Sequence, residues 1–305
     1  MSEDKLREMT VEEAVEALKE YKEKTGLSQS KIAKKMGVSE AVVSGFLSGS
    51  YKAMESIVPK VQQLIRVEER KELAPREPEF KMTGISERVI NIIACCQAIG
   101  KVGVVCGDAG VGKTMAINEY KRNNPDTSVI ITINPCFASI VGVNELLAEA
   151  FRIQEKASRR IYLEVLNRLE GSNKVLIIDE AQHLTPRVLD YLRSITDKTH
   201  TGMVFIGNTE LKAKMNGGGK KEYSQVYSRV AEPEMVFTED IQKSDIELLF
   251  EDFNVTKDEI DILYRISHTG YGVRGAVNVI LNTIAAFGNI TPEGVAKMAR
   301  RMSII

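Results

Sequence analysis

The sequence predicts an α/β protein that has an all-helical N-terminal unit, a parallel-sheet core and a helical C-terminal tail. Three observations predict this class. Short amphipathic segments with capping residues fill the first seventy residues. Apolar runs typical of buried parallel strands alternate with helical patterns between Val102 and Phe237. The glycine-rich stretch from Gly107 to Thr114 lies between the first of these strands and a helix.

The composition is that of an ordinary folded protein with room for two or three domains. The chain has 305 residues, 43% of them hydrophobic and 27% charged, and a net charge of −1. Any nucleic-acid binding is therefore expected from local patches rather than from the whole surface. No apolar run approaches the ~20 residues that cross a bilayer, and the N-terminus lacks the apolar segment of a signal peptide. We therefore expect a cytoplasmic protein without a membrane partner.

The predicted domains are a helix-turn-helix unit at 1–70, a linker at 71–83, a core at 84–238 and a helical lid at 239–305. The linker has two prolines, six charges and few apolar residues. The cysteines show no paired zinc spacing and are expected to be reduced core residues: Cys95, Cys96, Cys106 and Cys136. The histidines lack metal-like partners and are interpreted as structural: His183, His200 and His268.

The N-terminal unit begins with the capping box Thr10 to Glu13. Glycines end three successive helical patterns, at Gly26, Gly37 and Gly49. The predicted second, third and fourth helices are Gln29–Met36, Glu40–Leu47 and Val58–Val67. Two short helices around a tight glycine turn are typical of a helix-turn-helix. Between Lys22 and Arg66 there are eight Lys or Arg residues against three Glu, which favours DNA binding.

In a DNA complex, the helix that begins after Ser39 is expected to enter the major groove. Its predicted base-facing residues are Ser39, Glu40, Ala41 and Ser44, and the residues near phosphates are Gln29, Lys31 and Lys52. The base-facing side chains are short and include an acid, so strong sequence preference is not expected. The alternative is a small helical bundle used for protein contacts.

The core begins with the spacing G-x-x-x-x-G-K-[ST] of a phosphate-binding loop. Glycines let backbone N–H groups turn toward a polyphosphate, and the following helix contributes its N-terminal dipole. Lys113 is expected to reach the β- and γ-phosphates and Thr114 to ligate Mg²⁺. The predicted nucleotide contacts are Gly107, Asp108, Ala109, Gly110, Val111, Gly112, Lys113, Thr114 and Met115. An ordinary glycine turn is the alternative, and the flanking strand and helix patterns disfavour it.

Polar side chains follow two later strands. Asp179 and Glu180 come directly after the apolar run Val175–Ile178, at the strand end where ligands bind in open α/β sheets. Asp179 is expected to hold Mg²⁺ through water, and Glu180 to orient and deprotonate the attacking water. Asn208 follows the strand Gly202–Gly207, where it can hold that water near the γ-phosphate.

In this order, the loop, the two acids, Asn208 and two later arginines resemble the AAA+ ATPases. The resemblance implies ATP with Mg²⁺ as the ligand and hydrolysis to ADP and phosphate. It also implies roles for single residues: Asn208 as sensor 1, Arg229 as an arginine finger for a neighbouring subunit, and Arg274 as a nucleotide-contacting sensor 2. With Lys113 and Glu180 these residues form the predicted catalytic set. Surface salt bridges are the alternative for both arginines.

A closer resemblance covers nearly the whole chain. The strings SQSKIAKKMGVSEAVVSGFLSGSY, GDAGVGKTMA, DEAQHL and GGGKKEYSQVYSRV are similar to those of the phage Mu B family of transposition proteins. This resemblance implies ATP-driven assembly of a helical filament on double-stranded DNA without strong sequence preference. It further implies recruitment and stimulation of a transposase, disassembly on hydrolysis, and a host cytoplasmic location if the chain is phage-encoded.

Two basic clusters in the core are predicted to contact DNA. The first lies on or before the helix that precedes the acidic strand end: Arg152, Lys156, Arg159 and Arg160. The second consists of the lysines around the triple glycine 217–219: Lys212, Lys214, Lys220 and Lys221. The alternative is a solvated charged loop. For function, two alternatives stay open: a helicase or clamp loader of the same ATPase class, and an ATP-responsive transcription regulator.

Other predicted elements complete the α/β pattern. In the core they are the strands Ser128–Ile133 and Glu234–Phe237 and the helices Val143–Phe151 and Ala157–Leu169. In the tail, helices are predicted at Glu239–Phe253, Lys257–Ser267, Gly275–Phe287 and Thr291–Arg301.

Overall fold

The computed structural model describes residues 9–72, 74–215 and 230–305. The chain divides into two compact units, Met1–Pro75 and Arg76–Ile305. Elements are numbered in chain order over the described residues. The predicted arginine finger Arg229 and the lysines Lys220 and Lys221 lie outside the described residues.

The described part of the N-terminal unit has four α-helices: α1 Val11–Thr25, α2 Gln29–Met36, α3 Glu40–Ser48 and α4 Val58–Glu72. The helices α1 to α3 end at Gly26, Gly37 and Gly49, all with positive φ, as the glycine pattern predicted. The capping box of Thr10 and Glu13 is confirmed. Ser39 lies at the N-cap of α3, but its side chain makes no capping hydrogen bond.

The small core of this unit is built from one apolar stripe of each helix. Leu18, Ile32, Val43, Phe46 and Val61 are fully buried. The small side chain of Ala33 is also buried, on the face of α2 that packs against the other helices. Helix α4 continues to Glu72, beyond its predicted end at Val67 and into the predicted linker. Past Val67 its side chains form ion pairs with the other helices, Glu68 with Lys35 at 3.1 Å and Glu72 with Lys24 at 2.6 Å.

The second unit is built on a parallel sheet with the strand order β2-β3-β4-β1-β5 among the described residues. Its strands are β1 Val102–Gly107, β2 Ser128–Thr132, β3 Val175–Asp179, β4 Gly202–Gly207 and β5 Val230–Val236. Because all strands run the same way, the ends of β1, β3 and β4 meet at one edge. The predicted phosphate loop, acidic pair and Asn208 all follow strands at this edge.

Helices cover both faces of the sheet: α5 Gly84–Ile99, α6 Lys113–Asn123, α7 Ile140–Phe151, α8 Ser158–Leu169, α9 Pro186–Thr199 and α10 Thr209–Met215. Val105 and Val204 face the layer that contains α5 and α6. Val104 and Phe205 face the opposite layer, with α7, α8 and α9. The alternation of side chains along each strand therefore separates two apolar cores.

The C-terminal part is helical: α11 Lys243–Leu249, α12 Lys257–Ser267, α13 Gly272–Phe287 and α14 Pro292–Arg301. The prediction of one helix over Glu239–Phe253 is wrong. A 3-10 turn at Thr238–Asp240 comes first, and α11 begins only after Gln242, whose N–H donates to the Asp245 carboxylate at 2.9 Å. Helix α13 begins at Gly272 rather than Gly275, so Arg274 lies in its first turn.

The prediction that all four cysteines are core residues is wrong for one of them. Cys96 and Cys106 are buried and Cys95 is half-buried, but Cys136 is exposed in the short 3-10 turn Pro135–Phe137. Among the described residues, no single helix is long and apolar enough to cross a membrane. The helices α13 and α14 reach that length and composition only as a pair, and the pair is bent by 109°.

Candidate functional site

A cavity of about 460 Å³ lies where the strand ends meet the C-terminal helices. It is large enough for a nucleotide-sized ligand. Its floor is the loop between β1 and α6, and one side carries Glu180, Gln182 and Asn208. The other side is formed by residues of α11 and α13 and by the segment 77–83. The described members of the predicted catalytic set therefore all line one cavity: Lys113, Glu180, Asn208 and Arg274.

The phosphate-loop backbone depends on glycines at two positions. Gly110 and Gly112 have φ values of 78° and 104°, which residues other than glycine rarely adopt. Lys113 is folded over this loop, and its Nζ donates to the carbonyl oxygens of Gly107 at 3.0 Å and Asp108 at 2.6 Å. Burial lowers the pKa of the Lys113 ammonium, and the carboxylates of Asp179 and Glu180 oppose that shift.

The side chains of Thr114 and Asp179 meet between the loop and the end of β3. The Thr114 hydroxyl donates to Asp179 Oδ2 at 3.2 Å, and the backbone N–H of Glu180 donates to Oδ1 at 2.9 Å. Burial raises the pKa of the Asp179 carboxyl, and the nearby Glu180 adds to the shift, while both hydrogen bonds oppose it. A hydroxyl and a buried carboxylate at contact distance are the hard oxygen ligands that suit Mg²⁺.

Glu180 and Asn208 lie at adjacent strand ends and share one neighbour. Glu180 has a φ of 56°, the left-handed region, which is uncommon for a non-glycine residue and concentrates at functional sites. Its Oε2 accepts a hydrogen bond from Gln182 Nε2. The Asn208 Oδ1 accepts from the N–H of Glu210 at 2.9 Å, so its carboxamide nitrogen is the group that can donate toward a bound water.

The C-terminal helices approach the loop backbone directly. The N–H of Arg274 donates to the carbonyl oxygen of Gly110 at 3.1 Å. A Cβ added to Gly272 would lie 2.8 Å from the Gly110 carbonyl, and a Cβ on Gly110 would lie 2.4 Å from the Tyr271 carbonyl oxygen. This close contact places Arg274 at the cavity, where the sequence predicts a sensor residue.

Asp108 has a structural role where the sequence predicts a nucleotide contact. Its carboxylate accepts from the backbone N–H of Thr238 at 2.9 Å and from the Thr238 hydroxyl at 3.1 Å. Its own N–H donates to the carbonyl oxygen of Val236 at 3.0 Å. Both groups are therefore used to attach the end of β5 to the loop.

Sequence reasoning missed one wall of the cavity. The predicted linker supplies Phe80, Lys81 and Thr83, and α11 and α13 supply apolar Leu249, Val273 and Val277. Lys81 pairs with Glu251 and with Asp252, the latter at 2.8 Å, which fixes the segment against the helical part. In the sequence, the residue that could have indicated that this segment is ordered is Thr83, a typical N-cap residue. Its hydroxyl accepts a hydrogen bond from the Ser86 N–H at the start of α5.

The predicted DNA contacts differ in accessibility. In the N-terminal unit, the exposed ones are Lys31, Ser39, Glu40, Ala41, Ser44 and Lys52, while Gln29 is half-buried. In the core, Lys156, Arg159 and Arg160 are exposed, and Arg160 pairs with Glu155 at 3.7 Å. Lys212 is half-buried near the β1 end. Lys214 does not fit the prediction, because its Nζ donates inward to the backbone carbonyl of Gln182.

Comparisons with known proteins agree with this arrangement. Residues 100–215 match the family model described as an AAA domain. The chain is 28% identical over 268 residues to the ATP-dependent target DNA activator B of Escherichia phage D108, and equally to that of Escherichia phage Mu; each alignment covers 86% of this chain and 83% of the relative. The chain is homologous to the phage Mu B transposition proteins.

Other similarities cover comparable lengths. The Mu-like prophage FluMu DNA transposition protein B of Haemophilus influenzae is 26% identical over 270 residues, covering 85% of this chain and 92% of the relative. Among solved structures, domain III of the Thermotoga maritima replication initiation protein DnaA aligns at 14% identity with a TM-score of 0.49, over 72% of this chain and 93% of that one. The AAA-type core of this chain is the five-stranded parallel sheet with its helices.

Replacing Asp179 by Asn should stabilise the ligand-free protein by about 0.5–2 kcal/mol, because a buried carboxylate is replaced by an isosteric neutral group. The gain should shrink as the pH falls: the folded Asp179 has a raised pKa and takes up a proton before the unfolded chain does. Thermal unfolding between pH 8 and pH 4, which approaches the ordinary aspartate pKa of 3.8, measures both effects. Asp126→Asn, at an exposed position, is the control. A destabilised variant would contradict this account.

Replacing Gly272 by Ala should destabilise the second unit by about 1–3 kcal/mol and weaken nucleotide binding. The added methyl group meets the Gly110 carbonyl, and the φ of 59° at this position is unfavourable for alanine. Gly270→Ala is the matched control, because a Cβ there meets nothing within 4 Å. Thermal unfolding and titration with a fluorescent ATP analogue measure the two effects. If both variants unfolded at the same temperature and bound the ATP analogue equally well, the close approach of Gly272 to Gly110 would not be important for stability or binding.

Proposed function

We propose that this protein is an ATPase whose ATP-bound form assembles on double-stranded DNA and presents that DNA to a transposase. The observation that carries the proposal is that Lys113, Thr114, Glu180 and Asn208 line one cavity. The buried Asp179 carboxylate lies directly behind it and accepts a hydrogen bond from Thr114. The names of the homologues, target DNA activator and DNA transposition protein, support the assignment of DNA and transposition.

In the proposed reaction, the loop N–H groups and Lys113 bind the phosphates of ATP. Lys113 exchanges its contacts with the Gly107 and Asp108 carbonyls for phosphate oxygens. Thr114 and Asp179 would hold Mg²⁺, which neutralises phosphate charge when bound. Glu180 removes a proton from the attacking water, Asn208 orients that water, and the γ-phosphoryl group passes from the departing ADP to the water oxygen.

Assembly is the second part of the proposal. By resemblance, Arg229 from one copy completes the site of its neighbour, and Arg274 senses the bound nucleotide within its own chain. Such an arrangement makes ATP a contact between subunits, so a filament on DNA would require ATP and would disassemble after hydrolysis. The exposed basic residues Lys156, Arg159 and Arg160 and the N-terminal unit are the proposed DNA contacts.

Two variants separate binding from hydrolysis. Lys113→Ala should bind ATP weakly and fail to assemble, because the phosphates lose their cation. Glu180→Gln should bind ATP and assemble on DNA but hydrolyse ATP at least about 100-fold more slowly, because the carboxamide cannot accept the proton. Phosphate release and electron microscopy of the protein with DNA, with and without ATP, provide the measurements.

Lys101→Ala, which removes an exposed lysine near the start of β1, is the control for the loss of a positive charge. Assembly by Lys113→Ala to the same extent with and without ATP would overturn the mechanism. A natural protein that stays monomeric on DNA whatever nucleotide is supplied would overturn the function itself.

Replacing Lys156, Arg159 and Arg160 together by Gln should weaken DNA binding on all sequences alike. The slope of log K against log salt should fall by roughly one for each phosphate contact that is lost. Fluorescence anisotropy in the presence of a slowly hydrolysed ATP analogue measures both effects. Lys257→Gln, on the exposed side of α12, should leave the slope unchanged. An unchanged slope in the triple variant would remove this cluster from the DNA-binding surface.

A further inference from the structure

Gln182 is a buried polar residue at the cavity to which the predicted roles assign nothing. It lies in the 3-10 turn Ala181–His183 that follows the acidic end of β3, and only 7% of its surface is exposed. A buried carboxamide needs partners for both its oxygen and its nitrogen. The partners that Gln182 uses are the groups that surround the attacking water in the proposed reaction.

The two ends of the Gln182 carboxamide join two strand ends. Its Nε2 donates to Oε2 of Glu180, and its Oε1 accepts from the backbone N–H of Asn208 at 3.4 Å. Glu180 follows β3 and Asn208 follows β4, the neighbouring strand. One side chain therefore links the carboxylate of Glu180 to the backbone of Asn208.

Gln182 is itself held from two further directions. The ammonium of Lys214, from α10, donates to the Gln182 backbone carbonyl. On the other side, a Cβ on Gly207 would lie 2.6 Å from Gln182 Oε1, so the glycine permits the close approach of this carboxamide to β4. The side chain is thus fixed by packing and by hydrogen bonds, which is the property required of a group that orients another.

We propose that Gln182 is a positioning residue for ATP hydrolysis, holding the Glu180 carboxylate in the orientation that accepts the proton of the attacking water. The proposal rests on the proposed function. Glu180 has several rotatable bonds, and the hydrogen bond to Oε2 selects one of their combinations while Oε1 stays available to the water. Misplacing a catalytic group by about 1 Å can cost 10²-fold in rate, so we expect Gln182 to affect turnover more than binding.

Gln182→Glu removes the donor while nearly preserving the shape of the side chain. The introduced carboxylate keeps an oxygen for the Asn208 N–H but presents a negative charge to Glu180. At pH 8 the two carboxylates repel each other, and kcat should fall by about 10- to 100-fold with the affinity for a fluorescent ATP analogue unchanged.

A second variant separates orientation from binding. Gln182→Met has no donor and no charge, so its kcat should fall by a similar factor while its KM for ATP stays close to that of the natural protein. A residue that only supported the turn would change binding and turnover together.

Gln63→Glu, on the exposed side of α4, is the control for the added charge. A kcat for Gln182→Met equal to that of the natural protein would overturn the inference. So would a KM for ATP that rises in Gln182→Met by as much as kcat falls, because that result would describe a residue that only supports the turn. If the natural protein itself hydrolyses no ATP, the proposed function fails, which is a different and distinguishable outcome.

Discussion

The contact between Thr114 and Asp179 is the constraint on which the rest of the site depends. Thr114 lies in the first turn of α6 after β1, and Asp179 ends β3, with β4 lying between these two strands in the sheet. The hydroxyl and the carboxylate can meet across that distance only because the strands are parallel and end at one edge. Burial of the carboxylate there disfavours its charged form. The fold therefore retains at this edge a charged group that does not favour stability, which is typical of a functional site.

The sequence was most informative where local pattern decides structure. Strands β1, β3 and β4 and the loop between β1 and α6 follow from apolar runs and glycine spacing, because a buried parallel strand and a left-handed loop residue each restrict the residue types that fit. The tail was less predictable: Asp245 caps α11 at Gln242 and breaks a helix that the apolar periodicity made continuous. The same carboxylate also accepts a hydrogen bond from the backbone N–H of Gly84, 161 positions earlier in the chain, a contact that no local pattern indicates.

The parts of the site that sequence reasoning missed are those whose role depends on distant contacts. Residues 77–83 have the composition of a linker, yet Lys81 pairs with Glu251 and Asp252, and Phe80 lines the cavity. Asp108 resembles a loop residue free to face phosphate, but it binds Thr238, 130 positions later in the chain. Lys214 looks like part of a basic surface and instead donates to a backbone carbonyl. A charge pattern alone does not distinguish solvent-facing from inward-facing side chains.

The glycine-to-glycine approach between the phosphate loop and α13 has a mechanical consequence. No side chain lies between Gly110 and Gly272, and the N–H of Arg274 donates to the Gly110 carbonyl. The loop and α13 therefore contact each other through backbone atoms alone, without a flexible side chain that could absorb a displacement. If the loop backbone rearranges when phosphate binds or leaves, α13 must either move with it or lose this backbone contact. A displacement of the loop by a few tenths of an ångström would therefore reach the first turn of α13 instead of being absorbed between the two elements.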